Sequence, residues 1–170
     1  MPHLDAAYRF ARWLTRPGHE AEDVVQEALL RAYRAFDTLR GPDVKGWLLA
    51  IVRNCHTTAL RQQQRRGFVP LPEQEEADFG ATTLAVPAPD PEGHSIAEQQ
   101  RHRLTTLLGE LGAEHREVLV LREMEDLSYR EIAAVTQLPI GTVMSRLARA
   151  RAALKASWLK HESGEPRAVR

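Results

Sequence analysis

Leu127-Ser128-Tyr129-Arg130-Glu131-Ile132-Ala133-Ala134-Val135-Thr136-Gln137-Leu138-Pro139-Ile140-Gly141-Thr142-Val143-Met144-Ser145-Arg146-Leu147 encodes a short capped helix, a tight turn and a second, basic helix. Ser128 with Glu131 three residues later is the signature of a capping box, so a helix starts there. Ile132, Ala133 and Val135 give that helix a narrow apolar face with small residues for close packing. Pro139 cannot continue it, and Gly141 permits the backbone to turn before Thr142 opens the next helix.

At about 100° per residue, Val143, Leu147, Ala150 and Leu154 share one side of the second helix. Ser145 and Arg149 centre the opposite side beside Thr142, with Arg146 on one edge and Met144 and Arg151 on the other. The apolar side packs inward. Hydroxyls and guanidiniums on the other side can reach phosphates and guanine edges. A basic helix alone reads as a solvated face on an ordinary helical hairpin. Cap, turn and basic helix together instead describe a helix-turn-helix that places its second helix in the major groove of DNA.

The 170-residue chain is long enough for one domain or two small ones. Helix formers dominate and aromatic residues make up only 6%, which predicts an all-α protein. The formal net charge is zero, but its distribution is uneven. Residues 1–66 carry net +4, residues 67–100 net −7 with no lysine or arginine, and residues 101–170 net +3. Two basic segments are therefore joined by an acidic one. Cys55 is the single cysteine and reads as a small core residue, so no disulfide framework exists. The seven histidines form no metal-ligand spacing with it or with each other. The longest strongly apolar run, Trp47 to Val52, is too short to span a bilayer, and the N-terminus shows no signal-peptide pattern. The expectation is a reduced cytoplasmic protein without cofactor, metal or membrane insertion.

Periodicity predicts three helices in the first segment. One covers Ala6 to Leu14, with Tyr8, Phe10, Ala11, Trp13 and Leu14 as its apolar side chains. The second runs from about Ala21 to Leu39 around a core stripe of Val25, Leu29, Ala32 and Phe36. The third runs from about Val44 into the 60s, with Leu48, Ile51, Cys55 and Ala59 facing inward and a basic end at Arg61, Arg65 and Arg66. Residues 67–94 hold five prolines and many acids without a sustained period, which reads as a flexible linker. Ser95 and Glu98 form another capping-box pattern that opens a second helical domain, 95–161, ending in a long basic helix to about Trp158; residues 162–170 read as a disordered tail.

In the second helix, Leu30 falls outside the core stripe, beside Asp23, Gln26 and Glu27 at helical spacing. An exposed leucine ringed by polar groups suits a protein-docking stripe; the alternative is a solvated face with one stray leucine.

With that pattern added, the chain resembles the extracytoplasmic-function (ECF) group of bacterial RNA polymerase sigma factors, over nearly its whole length. Ala21-Glu22-Asp23-Val24-Val25-Gln26-Glu27 is similar to the region 2 helix that grips the polymerase clamp, and Gly46-Trp47-Leu48-Leu49-Ala50-Ile51-Val52-Arg53-Asn54 to the region 2 helix that faces the −10 promoter element. Leu119-Val120-Leu121-Arg122-Glu123 and Leu127 to Ala133 resemble the front of region 4, and Ile140 to Arg151 its recognition helix for the −35 element. Four such pieces in the right order, split by a linker, are highly specific.

The resemblance implies region 2 in residues 1–66 and region 4 in 95–161, with the linker where other sigma factors carry a middle domain. It implies core-polymerase binding by Asp23, Gln26, Glu27 and Leu30. It implies −10 contacts from Lys45, Trp47, Arg53, Asn54, His56, Thr57, Arg61, Arg65 and Arg66, where unpaired bases need stacking surfaces beside a cationic groove; for Trp47 a core position competes with this role. It implies −35 contacts from Arg130, Thr142, Met144, Ser145, Arg146, Arg149 and Arg151. Promoter DNA, core RNA polymerase and an anti-sigma factor are the implied partners. The linker acids read either as a mimic of RNA in polymerase channels or as a solubilising spacer. Met144 stands where relatives commonly carry a basic residue, Thr58 where they often carry Asp, and the segment before the first helix is short. The competing function is a regulator that binds operator DNA as a helix-turn-helix dimer. An enzyme is not expected: no glycine-rich phosphate loop, metal-ligand set or nucleophile context is present.

Overall fold

The computed structural model describes residues 3–15, 20–65, 100 and 103–162. Among these residues every regular element is helical: α1 (Leu4–Leu14), α2 (Glu20–Arg34), a short 3-10 turn (Phe36–Thr38), α3 (Val44–Arg65), α4 (residues 103–110), α5 (Ala113–Glu123), α6 (Tyr129–Thr136) and α7 (Ile140–Glu162). The expectation of an all-α chain holds. The proline-rich stretch 67–94, the Ser95–Glu98 pattern, Arg66 and the residues after Glu162 lie outside the described residues.

Helices α1, α2 and α3 pack together as one bundle, and α5, α6 and α7 as another. In the first, Ala6, Ala7, Phe10 and Ala11 of α1 meet Val24, Val25 and Ala28 of α2 and Leu48, Leu49 and Val52 of α3. Asp43 caps α3 by accepting the Gly46 N–H at Oδ1, 2.8 Å away. Gly46 leaves room for this cap, because a Cβ there would push the Asp43 carboxylate out of its position. In the second bundle, Val118, Leu119, Val120 and Leu121 of α5, Ile132 and Val135 of α6, and Val143, Leu147 and Ala150 of α7 are buried. The apolar side expected for the recognition helix is therefore its packed side.

The bundles are not separate. Helix α3 also packs on α6, and α1 on α5, so one continuous apolar cluster runs through both. The Arg116 guanidinium stitches the seam, donating to the Trp13 carbonyl at 3.0 Å and the Gly109 carbonyl at 3.2 Å. Leu49 and Val52, outside the predicted inward stripe of α3, are fully buried because this helix is covered by α1, α2 and α6.

Three local expectations need correction. Helix α2 stops at Arg34 rather than near Leu39, and the 3-10 turn that follows carries Phe36 out to 62% exposure, so Phe36 is not a core residue. The left-handed residue of the helix-turn-helix is Gln137 (φ 56°), which ends α6, whereas Gly141 lies inside α7. The Pro139 carbonyl, just before α7, accepts from the N–H groups of Thr142 and Val143 at 2.9 and 3.1 Å. Helix α7 also continues past Trp158 to Glu162, and Arg103 of α4 stacks 4.4 Å over the Trp158 ring.

The capping box of α6 is complete. Ser128 N–H donates to Glu131 Oε2 at 2.6 Å, and Glu131 N–H to Ser128 Oγ at 3.3 Å. The Ser128 hydroxyl and then its backbone N–H hold the Glu131 carboxyl below the usual carboxylate range. The folded state thus prefers Glu131 ionised, so the gain is fully present above the ordinary glutamate pKa and fades as pH falls through the lowered one. Ser128→Ala is expected to cost about 1 kcal/mol in urea unfolding at neutral pH. Glu131→Gln is expected to flatten the loss of stability on acidification below about pH 4.3; an unaltered pH slope would remove the carboxylate from the cap.

Candidate nucleic-acid and partner-binding surfaces

Helix α2 buries Ala21, Val24, Val25 and Ala28 and turns Asp23, Gln26, Glu27 and Leu30 to the exterior. Leu30 is 49% exposed, and Glu27 Oε1 accepts from Arg31 Nε at 2.7 Å, an i,i+4 pair that stiffens the rim. The four sequence-predicted docking residues therefore share one exposed stripe. The structure extends it. Tyr33, three residues beyond Leu30 on the same side, is 83% exposed, and Phe36 lies just past the helix end. Tyr33 was legible from its spacing to Leu30; Phe36 was hidden by the helix-end error.

On α7, Ser145, Arg149 and Met144 are exposed opposite the buried Val143–Leu147–Ala150 seam, and Thr142 is half-buried. Ser145 Oγ donates back to the Thr142 carbonyl at 3.0 Å, which orders the first turn of the helix. The remaining cations differ in freedom. Arg146 is tied to Glu114 of α5 at 2.8 Å with only 19% of its side chain exposed. Arg151 is tied to Glu123 of α5 through Nη2 at 2.6 Å, and this bond raises its pKa further. Arg130 is exposed at the start of α6, and among the described residues neither it nor Arg149 has an ion-pair partner. Arg149 and Ser145 thus form the freest polar face for a duplex, with Arg130 at the end of the neighbouring helix.

The residues expected to face the −10 element lie along α3 in two settings. Asn54, Arg61 and Arg65 are exposed. His56 is half-buried and lines a small hollow with Thr15, Asp23, Val24, Ala59, Leu60 and Gln63. Thr57 is half-buried and donates to the Arg53 carbonyl at 2.9 Å. Trp47 is half-buried and packs against the core.

Lys45 and Arg53 are instead held by acids of the second bundle. Lys45 Nζ lies 2.9 Å from Glu125 Oε2 and donates to the Glu125 carbonyl at 2.7 Å. Arg53 Nε donates to Glu117 Oε1 at 2.6 Å. The Glu125 side chain is 0% exposed and also receives Arg9 of α1, through Nε at 2.7 Å and Nη2 at 3.2 Å. That bond holds the Arg9 guanidinium further into its charged range. The sequence offers no local signal for Glu117 and Glu125, because their partners lie 64 and 80 residues away in the chain.

Among the described residues no group of three or more His, Cys, Asp or Glu could hold a metal ion, and no helix is long and apolar enough to cross a membrane. Cys55 is buried, and burial pushes its thiol above the ordinary range.

Comparison with known proteins agrees with this layout. Sigma-70 region 2 matches residues 1–66, and Sigma-70 region 4 matches residues 101–154. The ECF RNA polymerase sigma factor SigE of Mycolicibacterium smegmatis is 34% identical over 163 residues, covering 95% of this chain, which spans 60% of that relative's length. The ECF RNA polymerase sigma-E factor of Escherichia coli is 37% identical over 142 residues, covering 81% of this chain and 73% of the relative. Among solved structures, the sigma factor RpoE of Bartonella quintana, in complex with the anti-sigma factor NepR, superposes with a TM-score of 0.68 at 28% identity, covering 91% of each chain. CnrH in complex with the cytosolic domain of CnrY superposes at 0.62 with 25% identity, covering 96% of this chain and 85% of that one. A capped helix-turn-helix with an outward Ser145–Arg149 face, an exposed Asp23–Leu30 stripe and both matched regions in order make this chain a member of the ECF sigma factors of bacterial RNA polymerase.

Proposed function

We propose that this chain mounts on core RNA polymerase through Asp23, Gln26, Glu27 and Leu30, extended by Tyr33 and Phe36, and directs initiation at promoters that it reads at two sites. Arg149, Ser145 and Thr142, with Met144 and Arg146 at the edges, read the −35 duplex, while Arg130 and Arg151 sit near phosphates. Lys45, Trp47, Arg53, Asn54, His56, Thr57, Arg61, Arg65 and Arg66 hold the melted −10 strand, cations on the backbone and ring faces on the bases. The division of labour follows residues 1–66, 67–94, 95–161 and 162–170. The chain acts in the cytoplasm without chemistry of its own, since the polymerase supplies catalysis, and an anti-sigma factor holds it inactive.

The observation that carries this reading is the coexistence of two outward surfaces with different chemistry. One is an apolar-centred stripe on α2 suited to a protein; the other is a hydroxyl and guanidinium face on α7 suited to DNA. A dimeric operator-binding regulator has no use for the first. Transcription in vitro with purified core polymerase on a promoter library tests the proposal and returns the promoter motif. A chain that binds duplex tightly by itself and leaves core polymerase silent would instead be such a regulator.

Two substitutions separate the surfaces. Leu30→Ala with Tyr33→Ala is expected to weaken core binding by about 1 kcal/mol or more, with the fold intact because both side chains lie outside the core. Arg149→Ala is expected to cost about 1–3 kcal/mol on the preferred −35 sequence and to relax preference at one base pair. An equal loss on every −35 sequence would demote Arg149 to a phosphate contact.

A further inference from the structure

The start of α7 and its middle differ in chemistry. Ile140 to Ser145, the part of a recognition helix that meets base edges, carry no charged side chain. Arg146 is the first cation, and it is held by Glu114 at 2.8 Å. The first α7 arginine outside any ion pair among the described residues is Arg149, a turn beyond Ser145. What the tip offers instead is two hydroxyls, Thr142 and Ser145, and two large apolar side chains. Ile140 is 44% exposed and Met144 52%, and Ala148, four residues on, is exposed too. At about 100° per residue these three form one line along the rim of the polar face. Among the described residues Met144 belongs neither to the core nor to the side chains packed against it. Gly141 lies between Met144 and Ser145 around the helix, and a Cβ there would meet nothing within 4 Å, so this corner is open to close approach.

We propose that Met144 is a specificity determinant: its thioether chain lies on the C5-methyl of a thymine in the −35 element, so that the start of α7 selects a thymine while its middle selects through Arg149. This rests on the reading of α7 as the −35 helix.

The choice of base follows from what each presents in the major groove. Guanine N7 and O6 are acceptors that suit a cation, the amino groups of cytosine and adenine suit an oxygen or an amide, and thymine alone carries a methyl. Met144 has no N–H or O–H to donate, and its sulfur is a weak acceptor. Laid on a polar base edge it would displace water without replacing the hydrogen bonds. Laid on thymine it removes the methyl and its own chain from water together. Three rotatable bonds let it reach inward from the rim. A protein surface is the other candidate to cover the Ile140–Met144–Ala148 line. Position favours DNA, because an apolar protein patch seated on this rim would also press on Ser145 and leave its hydroxyl without water.

Deoxyuridine differs from thymidine by that methyl alone, which makes it the probe. With holoenzyme formed from core polymerase and the full chain, each thymine of the −35 duplex is replaced singly, on both strands. The wild type is expected to bind about three- to fivefold more weakly at one position, the worth of one buried methyl, and Met144→Ala to be indifferent there. Met144→Leu is expected to keep the response and Met144→Gln, of similar length, to lose it; all three changes fall outside the core. Identical responses of wild type and Met144→Ala at every position would overturn the proposal, as would a −35 motif with no thymine on either strand. Weaker assembly of Met144→Ala with core polymerase, with the deoxyuridine loss kept, would make the rim a protein contact and overturn it too. A holoenzyme with no −35 preference at all takes down the reading of α7 and this proposal together. A preference that Arg149→Ala relaxes, while Met144→Ala still feels deoxyuridine as the wild type does, takes down this proposal alone.

Discussion

Helix α3 has more apolar surface than its own bundle covers. Leu48, Leu49, Val52 and Cys55 are buried, and Trp47, Ala50 and Ile51 are half-buried against the same core. At about 100° per residue these positions go most of the way round the helix. Helices α1 and α2 cover one flank, and α6 covers another. This shared wall draws the two halves of the chain into contact, brings Glu125 between Arg9 and Lys45, and sets which functional surfaces face outward.

What the sequence made legible was local. The Ser128–Glu131 capping box and the Val143–Leu147–Ala150 seam depend on spacings of three and four residues, and both stand in the structure as read. The same holds for the Asp23–Gln26–Glu27–Leu30 stripe, which follows from one helix and one misplaced leucine. Phe36 failed because it continues the α2 period while the backbone has already left the helix at Ala35. Gln137 was missed because glycine is the usual bearer of a left-handed backbone, and Gly141 stood close by. Glu117 and Glu125 were out of reach in principle: an acid in a helix or a loop carries no mark of a cation that chain folding will bring from the other half.

The neutral total charge also takes on meaning at the level of position. Acids and bases are segregated along the chain, yet among the described residues the fold uses five intramolecular contacts, Arg9–Glu125, Lys45–Glu125, Arg53–Glu117, Arg146–Glu114 and Arg151–Glu123, to quieten cations that lie on or near proposed nucleic-acid surfaces. Arg149 and Arg130 are left uncovered among the described residues. Arg61 and Arg65 at the end of α3 are likewise exposed and in no ion pair among the described residues, so the cations left for DNA lie at the end of α3 and on the α6–α7 face.

Cys55 carries a consequence of another kind. It is the chain's single sulfhydryl, shut inside the first bundle, with burial favouring the protonated form. Peroxides and disulfides react with thiolates at accessible sites. The folded chain therefore offers a peroxide or disulfide no accessible thiolate, and its oxidisable sulfur at the surface is thioether, at Met124 and Met144 among the described residues.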